Sequence, residues 1–175
     1  MGPDTVCFSM EDSAVGDGSC VEGTRVCSSS SRTKIADNSC KFPFACHGSS
    51  DSTFGSQSCQ GHSACDSVRF ANVGIGSCIS DAGVASEQQS ACASSEYATI
   101  GNGSCHGNGA CFEAAGTSAS NVIIGSGSCL GVNSCQSIVV NVGDRSCTCA
   151  GCCSCAAIQT SFSGGVPDDT CTDCP

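Results

Sequence analysis

The residues that carry the most chemistry in this chain are its cysteines, 20 among 175. Thiols at that density have two uses: they oxidise to disulfides, or they ionise and hold a soft metal. Fourteen fall into couples: Cys20/Cys27, Cys40/Cys46, Cys59/Cys65, Cys78/Cys92, Cys105/Cys111, Cys129/Cys135 and Cys147/Cys153. Five of the seven couples enclose five residues, unlike the two-residue spacing of zinc ribbons. The crowded segment 147–155, with Cys147, Cys149, Cys152, Cys153 and Cys155, has the form of a thiolate cluster. Only Arg145 lies nearby to offset its charge. Disulfides in an oxidising compartment are the expected state, with no metal or cofactor. Two connectivities stay open. One pairs each couple within itself and leaves Cys7 over. The other links Cys7 to Cys20, Cys27 to Cys40 and so on, and leaves six cysteines for the C-terminus. Pairing within couples is favoured.

Other reactive side chains are sparse. His47, His62 and His106 occupy different places relative to the cysteine couples, and no nucleophile–histidine–carboxylate set emerges around them. Asp17, Asp37 and Asp144 form a broken acidic column three residues before a couple's first cysteine. Such a column could bind Ca²⁺, but it lacks the Gly-Gly-x-Gly-x-Asp pattern of calcium solenoids, so solvated charge is the expectation. Asn102-Gly103-Ser104 is a candidate glycosylation acceptor, though the repeat generates it almost for free.

What positions the cysteines is a repeat. One block recurs seven times: Val15–Cys20, Ile35–Cys40, Phe54–Cys59, Val73–Cys78, Ile100–Cys105, Ile124–Cys129 and Val142–Cys147. Each reads apolar, Gly or Ala, two free positions, Ser, Cys. Successive first cysteines lie 20, 19, 19, 27, 24 and 18 residues apart. Helical repeats are longer and want Leu-rich amphipathic stretches. Here Gly, Ser, Asn and Asp dominate, and these compete with helix. A period near 19 fits one coil of a parallel β-solenoid, with Gly or Asn at the corners. Five residues before each first cysteine stands Val, Ile or Phe, and seven before it a small or apolar residue. The position between is mostly polar, the period two of a half-buried strand. Stacking turns each position into a column, with the Ser column facing inward.

The expected fold is therefore all-β: a right-handed parallel β-solenoid of about seven disulfide-linked coils of 18–27 residues, with an irregular Cys-rich C-terminal cap. Residues 1–12 read as the remnant of a truncated preceding repeat, since Cys7 lies 13 residues before Cys20, as Cys27, Cys46, Cys65 and Cys92 do before their successors. Residues 13–147 form the solenoid, with a loop insertion at about 80–89 and a smaller one near 114–120. Residues 148–175 form the cap, which holds Cys149, Cys152, Cys155, Cys171 and Cys174.

The Ile-Gly-x-x-Ser-Cys-x-Gly-x-x-Ala-Cys pattern, clearest at Ile100–Cys111 and Ile124–Cys135, resembles the cysteine-rich repeat proteins of marine microalgae. The resemblance covers residues 13–153. It is weaker at Phe42-Pro43-Phe44 and at the insertion after Cys78. It implies a solenoid and the cell exterior, and it brings no catalytic residues.

Composition narrows function further. The chain carries 16 acidic against six basic residues, a formal charge of −10, which repels phosphate backbones and anionic lipid. Neither nucleic acid nor membrane insertion is expected. No basic leader or apolar signal region opens the sequence, so an extracellular or cell-surface protein would be represented here in mature or partial form. The expected role is a non-catalytic structural or adhesive component of an extracellular filament, cell wall or surface layer. Its partners would be other copies or repeats of the same assembly, or a glycan or other extracellular surface. The alternative is a surface-binding module for ice or glycan. The outward positions, with Arg32 and Lys34, are too charged for a Thr-x-Thr ice lattice.

Overall fold

The computed structural model describes residues 7, 9–21, 23–80, 90–115 and 121–148. The expected insertions at 80–89 and 114–120, most of the cap, and Cys149, Cys152, Cys153, Cys155, Cys171 and Cys174 lie largely or wholly outside the described residues. Among those described there is no helix. Six short strands follow one another: β1 (Ala14–Val15), β2 (Lys34–Ile35), β3 (Thr53–Phe54), β4 (Asn72–Val73), β5 (Ala98–Ile100) and β6 (Val122–Ile124). They form one parallel sheet in sequence order. The fold is an all-β parallel solenoid.

The register follows the repeat. Val15, Ile35, Phe54, Val73, Ile100 and Ile124 stand side by side, and Val142 bridges to Ile124 to continue the column. From Ile35 onward these side chains are at most 4 % exposed, whereas Val15 at the start is 40 % exposed. Two further columns of parallel bridges run alongside. One passes through Glu11, Ser31, Ser50, Arg69, Glu96 and Ala115, the other through Gln60, Ile79, His106 and Leu130. Coil is thus bonded to coil at several points of its circumference.

Side chains narrow enough for this winding fill the interior. Ala45, Ala64, Ala91 and Ala110, each just before a second cysteine, are fully buried, as are nearly all the cysteines. The Ser of each Ser-Cys step is buried too, and at Ser19, Ser39, Ser77, Ser104 and Ser128 its hydroxyl joins two coils. Ser104 Oγ donates to the Gly125 carbonyl at 2.7 Å and accepts from Ser128 N–H at 3.2 Å; Ser77 and Ser128 repeat the arrangement one coil earlier and later. A buried hydroxyl is tolerated only when bonded in this way. A second buried serine column is less visible in sequence. Ser30, Ser49 and Ser95, each three residues past a second cysteine, donate to the carbonyls of Cys46, Cys65 and Cys111 in the next coil.

The corners differ from expectation. Gly and Asn contribute, but all fourteen described cysteines sit in the left-handed region, with φ between 52° and 58°. That region costs an L-residue roughly 1–2 kcal/mol. It persists here because each corner is held by coil-to-coil backbone bonds such as Cys46 N–H to the Ala64 carbonyl at 3.0 Å; all but Cys7 are held by a sulfur bridge as well. The glycine four residues before the first cysteine has a different purpose from a bend. At Gly101 an added Cβ would lie 2.6 Å from the Ser126 nitrogen, so the close approach of consecutive coils requires glycine there.

Candidate functional site

The feature with the most chemistry is a ladder of sulfur along the interior. Cys20–Cys27, Cys40–Cys46, Cys59–Cys65, Cys78–Cys92, Cys105–Cys111 and Cys129–Cys135 are disulfides, each spanning one coil with Cα atoms 5.5–5.9 Å apart. Cys147 is also disulfide-bonded. First cysteines stack on first cysteines and second on second. Cys27 N–H donates to the Ala45 carbonyl, and Cys46, Cys65, Cys92 and Cys111 donate to the matching carbonyl of their next coil. A link from the second cysteine of one coil to the first of the next would run diagonally. With 5.9 Å across a coil and about 4.8 Å between coils, that diagonal is roughly 7–8 Å, at or beyond disulfide reach.

Neighbouring rungs approach closely. Within each of the sets Cys40, Cys46, Cys59 and Cys92, Cys105, Cys111, the three sulfurs lie within 4.8 Å of one another. A tight sulfur triplet is metal-ligand geometry, but these sulfurs are spent on disulfides and are not thiolates. The triplet Cys7, Cys20, Cys27 has the same shape, and there Cys7 is a free, exposed thiol. Desolvation of its sulfur against the first coil pushes the Cys7 pKa up.

The histidines do not converge. His47 Nδ1 lies 3.3 Å from Asp66 Oδ1, His62 Nδ1 lies 3.0 Å from Ser63 Oγ, and His106 Nε2 lies 2.6 Å from the Gly76 carbonyl. Phe44 packs between the first two, with ring centroids at 6.0 and 5.4 Å. Ser67 donates to Asp66, and the serine that does meet a histidine, Ser63, pairs with His62 and not with the His47–Asp66 pair.

The acidic column has a structural occupation. Asp37 Oδ1 accepts Asp17 N–H at 2.9 Å, Asn102 Oδ1 accepts Ile75 N–H at 2.9 Å, and Asp144 Oδ1 accepts Ser126 N–H at 2.7 Å. Each side chain caps the coil before it. At the Asn102 sequon the side-chain oxygen is thereby fixed while the residue remains exposed, and Ser104 is buried.

The outward face of the sheet changes character along its length. Over β2 and β3, Arg32 grips Asp51 through bonds of 2.6 and 2.7 Å. The next two residues of that column, Phe70 and Tyr97, stack with centroids 4.9 Å apart and planes 6° from parallel. Beyond them Ile123 and Val139 are about half exposed. A shallow groove of about 330 Å³ runs over β1–β3, lined by Val15, Lys34, Thr53 and their neighbours. It holds no pair of titratable groups.

One family model is similar to part of this chain. A family model described as a domain of unknown function, DUF7640, matches residues 2–84. The matched stretch contains β1–β4 and the first three described disulfides. No curated protein and no solved structure matches the chain.

Proposed function

We propose that this chain is a rigid structural or adhesive element of an extracellular filament, cell wall or surface layer, acting without catalysis. The observation that carries the reading is the continuous ladder of disulfides and bonded serines. The disulfides brace each coil across itself and the serine hydroxyls bond coil to coil, which suits a rigid rod. Disulfides at this density belong to oxidising compartments and support an extracellular location. No helix among the described residues is long and apolar enough to cross a membrane. The resemblance of the motif to the cysteine-rich repeat proteins of marine microalgae supports this reading. The acidic surface keeps rods apart until a bridging partner such as Ca²⁺ lowers their repulsion. Sedimentation with and without Ca²⁺, and co-sedimentation with insoluble wall polysaccharide, tests this. Assembly or attachment is expected. A chain that stays monomeric, attaches to nothing or turns over a soluble substrate overturns it.

The outward apolar stretch supports a second reading, a surface-binding module for glycan or ice. Phe70, Tyr97, Ile123 and Val139 face outward on one side of the rod. Loss of glycan retention in Phe70→Ala and Tyr97→Ala, or thermal hysteresis by the wild type, would favour it over the structural role.

A further inference from the structure

Of the seven asparagines in the chain, Asn102 alone stands two residues before a Ser or Thr. It lies in the turn three residues before the first cysteine of its coil. The same position in the seven coils is filled by Asp17, Asp37, Ser56, Ile75, Asn102, Ser126 and Asp144. Six of these are polar. The exception, Ile75, is 56 % exposed and belongs to the coil just before Asn102. Asn102 Oδ1 accepts Ile75 N–H at 2.9 Å, while its Nδ2 donates to no group among the described residues. The amide oxygen thus faces the Ile75 coil, and the nitrogen is left to solvent. Space is open around the turn in both coils: a Cβ added at Gly76 or at Gly103 meets nothing within 4 Å.

We propose that Asn102 is an N-glycosylation site, filled before its coil is covered, and that the first sugar lies over Ile75. The assignment rests on the extracellular reading, because only a chain on the secretory route meets the transferase. In the transfer, Nδ2 loses one proton and bonds to the anomeric carbon of an oligosaccharide. The bond from that carbon to a lipid pyrophosphate breaks, and the pyrophosphate leaves with the electron pair. The product is a secondary amide, planar and trans like a peptide. That geometry sets the anomeric carbon on the same side as Oδ1, which faces the Ile75 coil. The C–H face of the sugar then shields an isoleucine that otherwise stays in water. The Oδ1 acceptor is unchanged by the reaction, so the cap across coils survives. Timing follows from Ser104. Its hydroxyl, which the transferase must recognise, is buried and donates to the Gly125 carbonyl at 2.7 Å. The site is therefore open only until the coil of Gly125 stacks on that of Ser104.

The test expresses the chain behind a signal sequence in a eukaryotic host. Medium and lysate are both analysed, so the readout does not depend on secretion. Peptide N-glycanase in heavy-oxygen water converts each occupied asparagine to a labelled aspartate. Expected is a glycosylated wild type with the label at Asn102. Asn102→Asp should be bare yet folded, since Asp37 and Asp144 cap the same column. With microsomal transferase and lipid-linked donor, the reduced chain should be modified and the folded, oxidised chain should not. Enzymatic removal of the glycan leaves an aspartate and so keeps the cap. It should lower the thermal midpoint of the wild type but not of Ile75→Ser. A wild type that is bare in both fractions overturns the proposal. So does modification of the folded chain as fast as the reduced one, or an equal midpoint shift in Ile75→Ser. A site filled in this host but bare in protein from its source supports the site and counts against the extracellular reading.

Discussion

Ser104 and Gly125 belong to consecutive coils, and the hydroxyl of the first donates to the carbonyl of the second at 2.7 Å. The same oxygen accepts Ser128 N–H, so one buried atom satisfies two backbone groups of its neighbour. Ser104→Ala leaves both without that partner. The expected loss is about 1–3 kcal/mol for desolvated, unpaired groups. Ser126, exposed in the same turn of the repeat, is the control, and Ser126→Ala should stay within about 0.5 kcal/mol. Denaturant unfolding of the oxidised proteins measures both.

Two glycines should fail for different reasons. Gly101→Ala drives a methyl against the Ser126 backbone, and spreading the coils should cost roughly 1–3 kcal/mol. Gly76→Ala meets nothing within 4 Å, but its φ of +61° costs about 1 kcal/mol. Amide exchange separates the two. The first should loosen protection in the adjoining coil, and the second should not.

Reduction should unfold the solenoid. The core consists mainly of Cys, Ala and Ser, with one larger apolar column and a few others such as Val26, Val68 and Ile138, too little burial to offset backbone ordering at roughly 1–2 kcal/mol per residue. Each short bridge stabilises by about 2 kcal/mol in the chain-entropy model. It also holds two cysteines in the left-handed region. The expected result is loss of the β circular dichroism signal on full reduction. A reduced chain that melts where the oxidised one does would contradict the account.

The Asp51 carboxyl should titrate below its ordinary range. The Arg32 hydrogen bond, aided by its charge, holds it down. A depressed carboxylate stabilises the fold only above its unfolded pKa, near 3.9, and the effect is lost as pH falls through the folded value. The pair is exposed, so its contribution to stability should be small and screened by salt. Carbon-detected NMR titration should show the low Asp51 pKa and its return toward about 3.9 in Arg32→Gln.

Much of this architecture is legible in sequence because a repeat writes the same constraint many times. The column from Val15 to Val142 and the inward Ser column follow from single residues that recur at fixed distance from a cysteine. The corners are less legible. Fourteen left-handed cysteines contradict intrinsic backbone preference, and it is the stacking on the neighbouring coil, shared by the unbridged Cys7, that accounts for them. Asp37 and Asp144 look like solvated charge or a cation site, yet they cap backbone donors across coils, a pairing that needs the stack to be visible. The second serine column is irregular, with Val68, Ala114 and Ile138 at the same position as Ser30 and Ser95, so composition hides it.

The bridges across each coil also limit how far the molecule can stretch. If a coil peels away under tension, the chain between Cys46 and Cys59 can straighten, 13 residues or about 45 Å at roughly 3.5 Å per residue. The loop from Cys40 to Cys46 cannot, because its ends are tied through sulfur. Roughly a third of a regular coil is thereby withheld from extension, and about half of the one closed by Cys78–Cys92. A fibre made of such units would yield in short steps and keep a reserve of length that only breaking a covalent bond releases.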